Sequence, residues 1–112
     1  MENKHFYITD NGAIWMDETE QKQLFIILTS MIKHICARYT GITPNTLPMR
    51  ENIKSCIRYE LRELQVRGIL GRELPEFDVR ANVSNPRMID IIPMNELAKL
   101  IFTRFEYDIT GT

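Results

Sequence analysis

Residues 77–87 read Phe77-Asp78-Val79-Arg80-Ala81-Asn82-Val83-Ser84-Asn85-Pro86-Arg87. Apolar and polar side chains alternate for seven positions and then meet a turn signal at Ser84-Asn85-Pro86, so the spacing predicts a half-buried β-strand over Phe77–Val83. The chain turns there into Met88-Ile89-Asp90-Ile91-Ile92, and the pair reads as a β-hairpin. Such a hairpin needs a layer over its apolar face, and its outer edges need partners.

The covering layer lies upstream. Asp17-Glu18-Thr19-Glu20 places a capping side chain three residues ahead of a glutamate, which predicts a helix over Glu18–Tyr39. Leu24, Leu28, Met31 and Ile35 form its stripe, and Phe25, Ile32 and Cys36 widen it. A stripe that wide implies contact with a second helix or another chain as well as with a sheet. After Gly41, the segment Ile42-Thr43-Pro44-Asn45-Thr46-Leu47-Pro48 cannot continue a helix, whereas Pro48 suits the first turn of a new one. That second helix is predicted over Pro48–Arg67, with Met49, Ile53, Cys56, Ile57, Leu61 and Leu64 on its apolar face and Gly68 as its stop. Burying these side chains contributes on the order of 10 kcal/mol before conformational entropy is subtracted.

The N-terminal stretch His5–Met16 carries two apolar runs around Asp10-Asn11-Gly12, and the Asn-Gly pair supplies the positive φ of a tight hairpin turn. Residues 68–76 read as a loop. The last segment, Glu96–Ile109, fits a helix through Leu97, Leu100, Ile101 and Phe105, and a strand through Ile101, Thr103, Phe105, Tyr107 and Ile109. Its aromatic and β-branched content favours a strand from Lys99 onward. The order β-β-α-α-β-β-β predicts an α+β fold with two long helices packed on one face of a small antiparallel sheet. The 112 residues form one domain: an N-terminal hairpin over 1–16, two helices over 17–68 and a β-rich part over 77–110.

Composition narrows the functional classes. Fourteen basic against fifteen acidic residues give a net charge of −1, so no global field draws nucleic acid or an anionic membrane. The longest apolar run, Leu24–Leu28, is far short of a membrane span, and the polar start Met1-Glu2-Asn3-Lys4 lacks a leader's apolar stretch, so synthesis in the cytosol is expected. Cys36 and Cys56 read as structural thiols on helix faces. A bridge between them is geometrically conceivable but unusual in a reducing compartment.

Signs of catalysis are few. His34 and Cys36 project about 200° apart on a helix and cannot share a metal ion. His5 stands without clustered carboxylates, and no phosphate loop, nucleophile elbow or Cys/His pairing is present. Asp10, Asp90 and Asp108 read as turn-forming or solubilising residues. The expectation is a protein with no catalytic residue, cofactor, metal, membrane or small-molecule substrate.

Two features of the second helix bear on partners. Arg50, Lys54, Arg58 and Arg62 recur every four residues as a basic band opposite the apolar face, interrupted by Glu51. Such a band can touch phosphates or acidic groups of a partner protein. Glu60 falls about 280° around from Arg50, in the arc of Met49, Ile53 and Leu64. It either reaches water from the edge of that stripe or is buried, in which case Arg67 and Arg80 are candidate partners.

The run Glu51–Leu64, followed by the strand Glu76–Val83, resembles the core of the sheath-initiator proteins of contractile phage baseplates. The family's Tyr/Trp-Glu-Pro-Arg-like signature, which ends a helix leading into a β-hairpin, corresponds to Tyr59, Glu60, Leu61 and Arg62, with leucine in place of proline. Tyr59–Leu70 through Phe77–Asp90 is also similar to the C-terminal domain of contractile tail-sheath proteins. The resemblance implies a structural virion protein of the phage tail that self-associates or joins sheath and baseplate subunits by strand exchange. It makes Tyr59, Glu60, Arg62 and the strand residues Phe77, Val79, Ala81 and Val83 the partner-binding set. A small regulatory protein binding nucleic acid or a host protein through the basic band is the alternative. A third possibility is a dimer through the wide face of the first helix, in which Phe25 and Ile32 meet a second chain.

Overall fold

Asp17 decides where the first helix begins: its Oδ1 accepts the Glu20 backbone N–H at 2.7 Å, satisfying one of the orphan donors of the first turn. The structure, a computed structural model, describes residues 4–9, 12–41 and 45–110, with side chains from Asp17 onward. Its elements run β1 (Lys4–Thr9), β2 (Gly12–Asp17), α1 (Glu18–Tyr39), α2 (Leu47–Val66), β3 (Phe77–Ala81), β4 (Met88–Pro93), α3 (Glu96–Ile101) and β5 (Phe105–Asp108). The fold is α+β, with two long helices and a three-stranded antiparallel sheet of order β3-β4-β5. β1 and β2 form a second sheet of two strands, in register from Lys4 opposite Asp17 to Thr9 opposite Gly12. Asp10 and Asn11 of the expected turn lie outside the described residues.

The core joins the inner faces of α1, α2, α3 and the three-stranded sheet. Leu28, Ile32, Ile35 and Cys36 from α1 meet Ile53, Ile57 and Leu61 from α2, above Val79, Ile89 and Ile91 of the sheet. β3 alternates as the pleat requires: Phe77 and Val79 are buried, while Arg80 is exposed on the opposite face. α1 packs against both α2 and α3, which accounts for much of its apolar width. Gln21 ties α1 to α3 through its Nε2, which donates to the Leu100 carbonyl at 2.7 Å. Phe25, on the flank of the stripe, remains 40% exposed.

α2 ends on a complete Schellman arrangement. The Ile69 N–H reaches the Leu64 carbonyl at 2.9 Å and the Gly68 N–H reaches Gln65 at 3.0 Å. Gly68 sits at φ +79°, a left-handed conformation open to glycine at little cost. At its other end α2 begins at Leu47, one residue before the expected Pro48, because the Thr46 hydroxyl caps the Met49 N–H at 3.4 Å.

Two expectations need correction. The strand expected to reach Val83 stops at Ala81, because the Asn82 Oδ1 accepts the backbone N–H groups of Ser84 and Asn85, both at 2.9 Å, and curls the chain into the turn early. Val83 is left fully exposed. The final segment is no strand at Lys99: Asn95 caps a short helix, α3, that contains Lys99, and the strand begins only at Phe105. Both periodicities were real, one after the other.

Candidate functional site

The basic band does not survive as one surface. Arg50 turns back to its own helix start, its Nη1 donating to the Asn45 side chain at 2.6 Å and to the Asn45 carbonyl at 3.2 Å. Lys54 is drawn to Asp78 on β3 at 3.1 Å. Arg58 and Arg62 remain exposed at the mouth of a cleft of about 670 Å³ between α2 and the loop that leads into β3. Two of the four cations are therefore engaged within the chain, which weakens the case for a continuous phosphate-binding stripe.

Asp78 is the electrostatic centre of the β3 edge. Its carboxylate takes Arg80 Nε at 2.7 Å, Lys54 Nζ at 3.1 Å and the Val79 N–H at 2.9 Å. The Arg80 hydrogen bond, with those of Lys54 and Val79 behind it, holds the Asp78 carboxyl below the usual aspartate range against the opposing effect of burial. A depressed folded pKa means stability that is present above the unfolded value and lost as pH falls through the folded one. Asp78→Asn is accordingly expected to lower the urea midpoint at neutral pH, with the gap to the parent protein closing from about pH 4 downward. A gap that stays constant into acid would contradict this.

The same contacts bear on strand pairing. The bonds from Asn82 N–H to Met88 and from Met94 N–H to Glu76 set the phase of the β3–β4 ladder, so Phe77, Val79 and Ala81 turn their backbone groups to the outer edge. The Val79 donor on that edge is already taken by Asp78. Side chains of the resemblance-derived set divide: Phe77 and Val79 are buried in the core, Ala81 and Val83 are exposed. Tyr59 is 61% exposed, Arg62 is exposed and Glu60 is half-buried, all within the body of α2 and not at its end. Arg80, one candidate partner of Glu60, is engaged by Asp78 instead.

Several site features left little mark in the sequence. Asp90 is buried on the sheet's outer face, between Arg80 and Glu106 in register, and receives Arg104 Nη2 at 2.6 Å and Asn82 Nδ2 at 2.9 Å. It is a structural ion-pair node rather than a solubilising acid. Asn95 holds the loop before β3 against α3 through three hydrogen bonds. Its one sequence signal is a capping residue ahead of Glu96-Leu97-Ala98. Glu73 lies buried in the wall of the cleft, with no local pattern to announce it.

The thiols are free. Burial pushes the Cys36 thiol up to about 12, so it stays protonated and inert in the folded chain. Cys56 is half-buried with its Sγ 3.5 Å from the Tyr39 hydroxyl, and that contact, followed by burial, raises the tyrosine's pKa. A disulfide-exchange reagent is expected to titrate Cys36 only after denaturation, with Cys56 reacting first. Equal rates for both thiols in native buffer would contradict that order. His34 is exposed while Cys36 is buried, and the His5 side chain lies outside the described residues. Among the described residues no group of three or more His, Cys, Asp or Glu gathers to hold a metal ion, and no helix is long and apolar enough to cross a membrane.

No family model, curated protein or solved structure matches the chain.

Proposed function

We infer that this chain is a non-enzymatic assembly protein that joins neighbouring subunits by strand addition. Its setting, on the resemblance of Glu51–Leu64 and Phe77–Asp90, is a contractile phage tail, where it initiates or joins the sheath and becomes part of the virion. The observation that carries the reading is the β1–β2 sheet: two strands of six residues each that, among the described residues, pair with no third strand. The hairpin rests on α1 and α3, and a third strand added from another subunit supplies the full ladder that two strands lack.

The three-stranded sheet offers less. At its β3 margin Asp78 occupies the Val79 donor and Lys54 bridges from α2, a device that blunts an edge against indiscriminate pairing. Strand addition is therefore favoured at the hairpin, with Tyr59 and Arg62 on the exposed side of α2 available as side-chain contacts that fix orientation.

Size-exclusion chromatography with light scattering, on the chain alone and mixed with purified sheath and baseplate subunits, tests the proposal when combined with amide hydrogen exchange. The expected result is self-association or a mixed complex in which exchange slows along β1 and β2. A protein that stays monomeric, captures no tail subunit and shows unchanged exchange in the hairpin would end it.

A further inference from the structure

A buried charge in the cleft has no role in strand addition. Glu73 is 9% exposed, and its Oε2 is shut off from water with no hydrogen-bond partner among the described residues. A carboxylate so placed carries an uncompensated desolvation cost, and such groups are rare in folded proteins unless something binds them. Three guanidinium groups line the same cleft: Arg58 and Arg62, one turn apart on α2, and Arg72, next to Glu73 in the chain. Among the described residues none of the three lies within ion-pair distance of Glu73 or of the neighbouring Glu76.

The three arginines thus border the cleft in whose wall the Glu73 carboxyl is buried, without closing on it. We propose that the cleft between α2 and residues 72–76 binds a zwitterionic ligand of the amino-acid or short-peptide class, its cationic group on Glu73 and its carboxylate on the arginines. A purely anionic ligand would leave Glu73 unpaired, and a purely cationic one would approach three like charges. A ligand carrying both groups satisfies the buried acceptor and meets guanidinium forks suited to a carboxylate. The volume, about 670 Å³, is in the range of small-molecule sites. Asn95, also in the wall, is bonded to Leu74, Glu76 and Ala98 and serves as scaffold. Glu73 also borders a second cavity of about 480 Å³ on the α1 side, where Arg72 is the sole cation among the described residues. That cavity lacks the converging arginines that would hold the carboxylate.

Amide-shift titration by NMR tests the assignment with four probes: L-lysine, the blocked dipeptide acetyl-Lys-Glu-amide, cadaverine and glutarate. Saturable shifts across Arg72–Glu76 are expected from at least one zwitterionic probe, about ten-fold tighter than from cadaverine or glutarate. Tighter binding of L-lysine assigns the site to a free amino acid, and tighter binding of the dipeptide to a segment of a partner chain. Glu73→Gln is expected to weaken the preferred probe by about ten-fold or more while leaving the thermal midpoint of the free protein unchanged or raised. Four outcomes overturn the proposal: no saturable shift from either zwitterion, cadaverine or glutarate binding as tightly, unchanged affinity in Glu73→Gln, or a lowered midpoint of that variant without ligand. The last would mean that an arginine of the chain already pairs with Glu73.

Discussion

Ile32→Asp unfolds the domain. Ile32 is 2% exposed in the centre of α1, within the cluster that joins both long helices to the sheet. Truncating the side chain alone removes about 3 kcal/mol of burial and packing. The carboxylate then adds several kcal/mol more, because the surrounding cluster is apolar. The sum, on the order of 6 kcal/mol or more, meets or exceeds the whole stability of many domains of this size, about 5–15 kcal/mol. Far-UV circular dichroism and urea titration read the result. Phe25→Asp, seven residues earlier on the same helix, is the control: its ring is 40% exposed, and the expected loss is about 1–2 kcal/mol with the fold retained. If Ile32→Asp instead gave a folded monomer with an undiminished midpoint, Ile32 would face another chain, and the dimer reading of the first helix would be restored.

Asn95→Ala is expected to be the most damaging polar substitution. Asn95 is 8% exposed, and its Oδ1 accepts from Ala98 N–H at 2.8 Å and from Glu76 N–H at 3.1 Å. Its Nδ2 donates to the Leu74 carbonyl at 3.1 Å. Alanine removes the α3 cap, worth about 1 kcal/mol, and strands two further backbone groups at about 1 kcal/mol or more each. A total near 3 kcal/mol corresponds to a fall in melting temperature of roughly 10–20 °C. Asn95→Asp separates the contributions: it keeps the cap but turns an oxygen towards the Leu74 carbonyl, so the α3 amides stay protected while the loop before β3 loosens. Calorimetry and amide exchange at Ala98 and Glu76 distinguish these effects. A melting point unchanged in Asn95→Ala would mean that the loop and α3 are held by other contacts.

Much of this architecture is written locally. Asp17 with Glu20 starts α1, Gly68 stops α2, and the alternation of Phe77, Val79 and Ala81 against Asp78 and Arg80 marks β3. Each of these signals acts within one turn or one pleat, so residues close in sequence are enough to set it. The α+β class followed from their order. The last segment was harder, because a six-residue helix and a four-residue strand share one stretch of apolar residues. The Asn95 cap with its bonds to the loop before β3 settles the first, and the pairing of Phe105–Asp108 with β4 settles the second.

The fate of the charges belongs to tertiary structure alone. Arg50, Lys54, Arg58 and Arg62 are equivalent in helical spacing, yet Arg50 bonds to Asn45, Lys54 pairs with Asp78, and Arg58 and Arg62 border the cleft. Asp90 and Glu73 look like ordinary surface acids in the chain and are buried in the fold, one paired and one, among the described residues, not. The physical reason is range: helix periodicity and capping act over a few residues, whereas desolvation and ion pairing depend on which elements the apolar core brings side by side.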